Sequence, residues 1–95
     1  MVYKCQICDY ETDDRNKIDY HHIVSKELNG NNKKSNRIYV CPTCHRLIYI
    51  PESKTGCHSV RTEESITIYG WYMSTGGRVL HYNKNHEDFF VEDKN

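Results

Sequence analysis

Two Cys-x-x-Cys pairs, Cys5/Cys8 and Cys41/Cys44, bracket His21-His22 and Asn36, and His45 follows the second pair directly. Two thiols at this spacing chelate one ion from a tight turn whose backbone N–H groups point at the sulfurs. Two such pairs make a closed tetrahedral site of four thiolates, which suits Zn²⁺. A closed site offers no position to a substrate, so this zinc holds structure. A redox dithiol in one pair leaves the other pair unexplained. Histidine offers different chemistry, because a neutral imidazole is both a base near pH 7 and a ligand for divalent ions. Taken alone, His21-His22 reads equally as two strand histidines satisfied by backbone carbonyls. The steps of 14 positions from His22 to Asn36 and of 9 from Asn36 to His45 add context. They put the first on a strand, the second at the mouth of another, and the third just behind the cysteine knuckle.

These side chains need a frame. Residues 18–24 are rich in β-branched and aromatic types and read as a strand. Residues 26–35, with Asn29-Gly30-Asn31-Asn32, read as a loop. A second strand over 38–40 runs into Cys41. Pro42 suits the first turn of a helix, which continues over 44–49 and stops before Pro51. Two turns do not persist alone in water, so the zinc must fix the start of the helix. Upstream, residues 3–12 form a short ribbon around the first cysteine pair, and 12–14 a turn. Downstream, 52–62 is a polar connector. Strands over 65–73 and 78–82 flank a turn at 74–77 and make a hairpin. The end, 83–95, is acidic and frayed apart from Phe89-Phe90-Val91, which can dock.

The chain has 95 residues, 37% of them hydrophobic, so its core is thin and wants a staple. Thirteen basic and thirteen acidic residues cancel. The basic excess lies over 21–62, where Lys26, Lys33, Lys34, Arg37, Arg46, Lys54 and Arg61 face only Glu27 and Glu52. A local positive face attracts a polyanion even when the whole is neutral. The absence of a secretory apolar segment and of any long apolar run points to a soluble chain with no membrane partner. Paired thiols at metal spacing point to a reducing cytoplasm. Cys57 is left over and reads as a buried or half-buried free thiol. His58, His81 and His86 show no ligand spacing and read as surface residues. Tyr69, Trp71 and Tyr72 read chiefly as packing, with base stacking, a dimer contact or a protein partner on the hairpin as other roles.

The run Tyr20-His21-His22-Ile23-Val24, then Asn36, then Cys41-Pro42-Thr43-Cys44-His45-Arg46-Leu47-Ile48 resembles the HNH endonucleases, also called His-Me finger or ββα-metal nucleases. The four cysteines are similar to the zinc-stabilised branch of that family, and the whole looks most like small nucleases of phages and mobile elements. The resemblance implies a small α+β fold, a zinc-stabilised, treble-clef-like ββα-metal finger over 1–62. A C-terminal β-hairpin and acidic tail over 63–95 would pack on the same domain. It implies metal-dependent hydrolysis of DNA, leaving 5′-phosphate and 3′-hydroxyl ends, by a monomer or homodimer in the cytoplasm, a host's if the source is a phage. His22 matches the general base and Asn36 the residue whose amide holds the loop and orients it. His21 and His45 match the ligands of a divalent ion, Mg²⁺ or Mn²⁺, with other ions open. Cys5, Cys8, Cys41 and Cys44 would hold the structural zinc. Lys33, Lys34, Arg37 and Arg46 would contact the nucleic-acid backbone. Where many members carry a second helical histidine, this chain has Tyr49, which leaves two protein ligands. Adjacent strand residues point to opposite faces, so His21 and His22 share a site only if the strand twists or breaks there. The alternative is an inactive zinc module of the same descent that binds nucleic acid or a protein.

Overall fold

The computed structural model describes residues 1–24 and 28–95. Residues 25–27, at the start of the expected loop, lie outside the described residues. Among the described residues, seven strands and one α-helix follow in order: β1 Tyr3–Lys4, β2 Glu11–Thr12, β3 Asp19–His22, β4 Arg37–Val40, α1 Pro42–Leu47, β5 Ile66–Ser74, β6 Gly77–Lys84 and β7 Glu87–Glu92. They form three antiparallel sheets, β1-β2, β3-β4 and β5-β6-β7.

The first ribbon is the two-rung pair β1-β2, and Asp14 caps a single 3-10 turn at Arg15–Lys17 through its side chain. Strands β3 and β4 pair through four rungs, Asp19↔Val40, Tyr20↔Tyr39, His21↔Ile38 and His22↔Arg37. The strand neither breaks nor slips at the histidines, contrary to the expectation drawn from their adjacency. By alternation Asp19, His21, Ile38 and Val40 face one way, and Tyr20, His22, Arg37 and Tyr39 the other. The first set looks into the molecule: His21, Ile38 and Val40 are all buried.

Cys41 caps α1, its sulfur accepting from the Cys44 amide, and Pro42 occupies the first turn. The helix is shorter than expected, ending at Leu47. Ile48 leaves it in an extended conformation and makes a parallel bridge to Ile66. That bridge joins the C-terminal sheet to the half that carries the paired cysteines. Ile48 and Ile66 are almost wholly buried beside Leu80, Ile18 and the cysteines. Deleting a side chain there leaves a cavity as well as losing its transfer energy. Ile66→Ala is therefore expected to cost about 2–5 kcal/mol, read as a lower denaturation midpoint at unchanged zinc content.

The C-terminal segment is more ordered than its composition suggests. Instead of a hairpin with a frayed tail, it is a three-stranded sheet. Asn85 and His86 both take positive φ, 54° and 65°, and close a two-residue turn between Lys84 and Glu87. Strand β7 then pairs with β6 over six rungs. The buried Gln6 amide donates to the Glu92 carbonyl at 2.7 Å, and its oxygen accepts from the Lys94 amide at 3.1 Å, so this end is tied back to the first ribbon. Trp71 is half-buried, its indole N–H donating to the Arg37 carbonyl at 3.2 Å. Tyr69 and Tyr72 remain exposed on the outer face, beside His81 and Phe90. Cys57 is exposed, not buried. Among the described residues no helix is long and apolar enough to cross a membrane.

Candidate functional site

The sulfurs of Cys5, Cys8, Cys41 and Cys44 all lie within 4.8 Å of one another. The Cys8 and Cys41 sulfurs are 3.7 Å apart, close to the ~3.8 Å edge of a tetrahedron built on Zn–S bonds of about 2.3 Å. The Cys8 and Cys44 amides point at Cys5 and Cys41 Sγ, at 3.5 and 3.4 Å, as a chelating turn requires. The thiols compete for negative charge. A hydrogen bond from Cys44 draws Cys5 down to about 4, while the same contact and burial push Cys44 far up. A divalent cation at the centre removes that conflict by letting every sulfur ionise. The donor set fits zinc.

A second cluster shares α1 with the first. His21 on β3, His45 on α1 and His58 each offer a ring nitrogen within 4.8 Å of the other two. Their rings meet edge to face or tilted, with centroids 5.0–5.3 Å apart. His58 comes from a 3-10 turn, Cys57–Ser59, inside the polar connector. Two bonds bring it in: Ile50 donates its amide to the His58 carbonyl at 2.9 Å, and His58 Nδ1 stands 2.8 Å from the Ile48 carbonyl. Contrary to its reading as a surface residue, His58 is part of the site. It faces His21 and His45 from outside the helix, whereas position 49, where the second helical histidine was sought, holds Tyr49.

The tautomers follow from the partners. A carbonyl only accepts, so His58 Nδ1 donates to Ile48 and leaves Nε2 as the lone pair. Asp19 Oδ2 lies 3.1 Å from His45 Nδ1, so that nitrogen also donates and Nε2 is again free. Among the described residues, His21 Nε2 is buried without a hydrogen-bond partner. Burial, reinforced by the charges His45 and His58 would carry, holds His21 down to about 3. Its imidazole is therefore neutral and ready to ligate throughout the physiological range. An orphaned buried nitrogen beside two nitrogens freed by their partners fits a divalent cation.

The Asp19 carboxylate would orient His45 for an ion at this cluster, an arrangement whose loss typically weakens metal binding 10–100-fold. Asp19→Asn is expected to weaken binding of Mn²⁺ or Zn²⁺ at the histidines by about that factor. Titration of the zinc-loaded protein by calorimetry checks it.

The remaining predicted residues are not members of this cluster. His22, on the opposite face of β3, has Nε2 2.8 Å from Asn32 Oδ1. Asn36 is buried, and its side chain closes the loop that follows β3. Oδ1 accepts from the Val24 amide at 2.8 Å, and Nδ2 donates to the Val24 and Asn31 carbonyls at 3.0 and 2.9 Å. Lys33 and Lys34 are exposed beside it. Arg37 lies over the Tyr20 ring, 4.8 Å from its centroid. Arg46 is exposed on α1, away from the other three cations, and lines a shallow depression with Cys57. The sequence reading missed His58, Asp19 and Asn32. Asp19 carried a signal, since it is two residues before His21 and therefore on the same strand face.

The family model for HNH endonucleases matches residues 5–49. It begins at the first cysteine of the knuckle and ends two residues beyond α1, taking in β3, Asn36, β4 and His45 on the way. This segment is similar to the HNH endonuclease domain. The four clustered cysteines are consistent with a zinc-binding variant of the HNH domain. No curated protein and no solved structure matches the chain. His58 and the whole C-terminal sheet lie beyond the matched HNH segment.

Proposed function

We propose that the chain is a metal-dependent endonuclease that hydrolyses the phosphodiester bonds of DNA, with β3, β4 and α1 as its ββα-metal finger and the four-cysteine zinc as its staple. One observation carries the reading. Inside and just beyond an HNH segment, the buried, partnerless Nε2 of His21 stands among the ring nitrogens of His45 and His58. A divalent ion held by these three would polarise the phosphate and offset the charge that develops on the leaving oxygen. Three imidazoles favour Mn²⁺, Ni²⁺ or Zn²⁺ over Mg²⁺, which prefers oxygen ligands and keeps its waters.

His22 is the general base in this account. With Asn32 Oδ1 accepting from Nε2–H, Nδ1 carries the lone pair and takes the proton from water. That water's oxygen bonds to phosphorus as the P–O3′ bond breaks. Asn36 acts through the loop: it grips the Asn31 carbonyl, and the neighbouring Asn32 holds the His22 ring. Lys33, Lys34 and Arg37 beside this loop, and Arg46 on α1, would hold backbone phosphates without reading bases.

Supercoiled plasmid incubated with the protein and Mg²⁺, Mn²⁺, Ni²⁺ or Zn²⁺ tests the reading. Nicked circles are expected with at least one of these ions and none with EDTA. Intact plasmid under every ion would leave the non-catalytic zinc module in its place.

A further inference from the structure

The face of the β3-β4 hairpin that carries His22 also carries Tyr20, Arg37 and Tyr39. Where the C-terminal sheet leans against it there is a cleft of about 350 Å³. Tyr20, Tyr39 and Trp71 give it aromatic walls, and Lys34, Arg37 and Arg78 give it positive charge. The charges are unevenly compensated. Arg78 is neutralised by Asp93, its Nε 2.8 Å from Oδ2, and lies 3.8 Å over the Trp71 ring. Lys34 and Arg37 make no ion pair among the described residues. Arg37 Nε is buried with no acceptor. A buried cationic donor left unpaired is costly, and an anion is the acceptor that would satisfy it and offset its charge as well.

An uncompensated guanidinium beside flat aromatic surfaces is the chemistry of a nucleotide, with phosphate on the cation and base on the rings. The cleft is at the small end of ligand sites. A stacked duplex presents no free base to it, whereas an unpaired strand does. Arg37 and His22 form the last rung of the hairpin, so a phosphate on Arg37 would lie beside the candidate base. We propose that this cleft takes one unpaired nucleotide of a DNA strand, its phosphate on Arg37 and Lys34 and its base against Trp71. The inference rests on the nuclease reading and narrows its substrate to DNA with single-stranded character beside the scissile bond.

Trp71 is the only tryptophan in the chain, so intrinsic emission reports on the cleft. The zinc-loaded protein, without further divalent ion, is titrated with a short oligothymidylate and with a duplex of equal phosphate number. The single strand is expected to quench Trp71 saturably at a concentration at least about tenfold below the duplex. Arg37→Gln and Lys34→Gln should each raise its half-saturation point about tenfold while leaving the emission of the free protein unchanged. Lys34 is exposed, so its variant is a safeguard against misfolding. No quenching, an equal response to duplex, or unshifted half-saturation in both variants overturns the proposal. Quenching by a protein that nicks nothing keeps the cleft and removes the nuclease; nicking without quenching does the reverse.

Discussion

Stripping the zinc is expected to unfold the protein. The four sulfurs sit at the junction of the first ribbon, β4 and α1, and three of these cysteines are themselves buried core residues. The helix they start has six residues, far too few to persist unaided. Structural zinc in small domains contributes apparent binding energies of roughly 10–16 kcal/mol. A domain of this size has a total stability of about 5–15 kcal/mol. The metal term is therefore as large as the whole net stability, and the cooperative transition should vanish when it goes. Cys41→Ser should act in the same way, because Cys41 supplies both a ligand and the helix cap. Circular dichroism of the chelated protein and of the variant checks this. Retention of the native spectrum and a sharp thermal transition in zinc-free protein would show that the apolar core suffices.

The second large effect is on chemistry alone. Replacing His22 by Ala should lower DNA nicking by about 10²–10⁴-fold, the usual share of a positioned general base. Its ring is partly exposed and, among the described residues, bonds only to Asn32 in the loop. Its removal should therefore leave zinc content and thermal midpoint as they were. The variant separates the candidate base from the histidine cluster, since His21 leaves β3 on the other face. Rates of plasmid nicking beside the wild type decide it. An unchanged rate removes His22 from the mechanism and shifts the search for a base to the inner face.

Much of this arrangement is legible in the sequence because spacing carries it. Two chelating turns and the hydrophobic strands before and after Asn36 are local patterns, and they place the strand–loop–strand–helix order correctly. Asn36 is legible because an amide at the neck of a polar loop can satisfy backbone on both sides. It does so at Val24 and Asn31. His58 is not legible, because no period links it to His45. It arrives through backbone bonds to Ile48 and Ile50 that only the folded connector makes. Strand β7 is hidden for another reason. Its acidic residues suggest a solvated tail, and its turn uses Asn85-His86 where glycine would be the usual signal. The regular ladder at His21-His22 is a tertiary outcome too: the buried side of the hairpin pins the register, so the two imidazoles leave β3 on opposite sides, still near enough for the charge of one to act on the other.

The claim at the centre is that His21, His45 and His58 together hold the ion on which cleavage depends. Nicking rate against Mn²⁺ concentration, for the wild type and for His58→Ala at equal zinc content, tests it most directly. The account predicts that the variant needs on the order of tenfold more Mn²⁺ or more to reach half its maximal rate. Superimposable curves for the two proteins would contradict it.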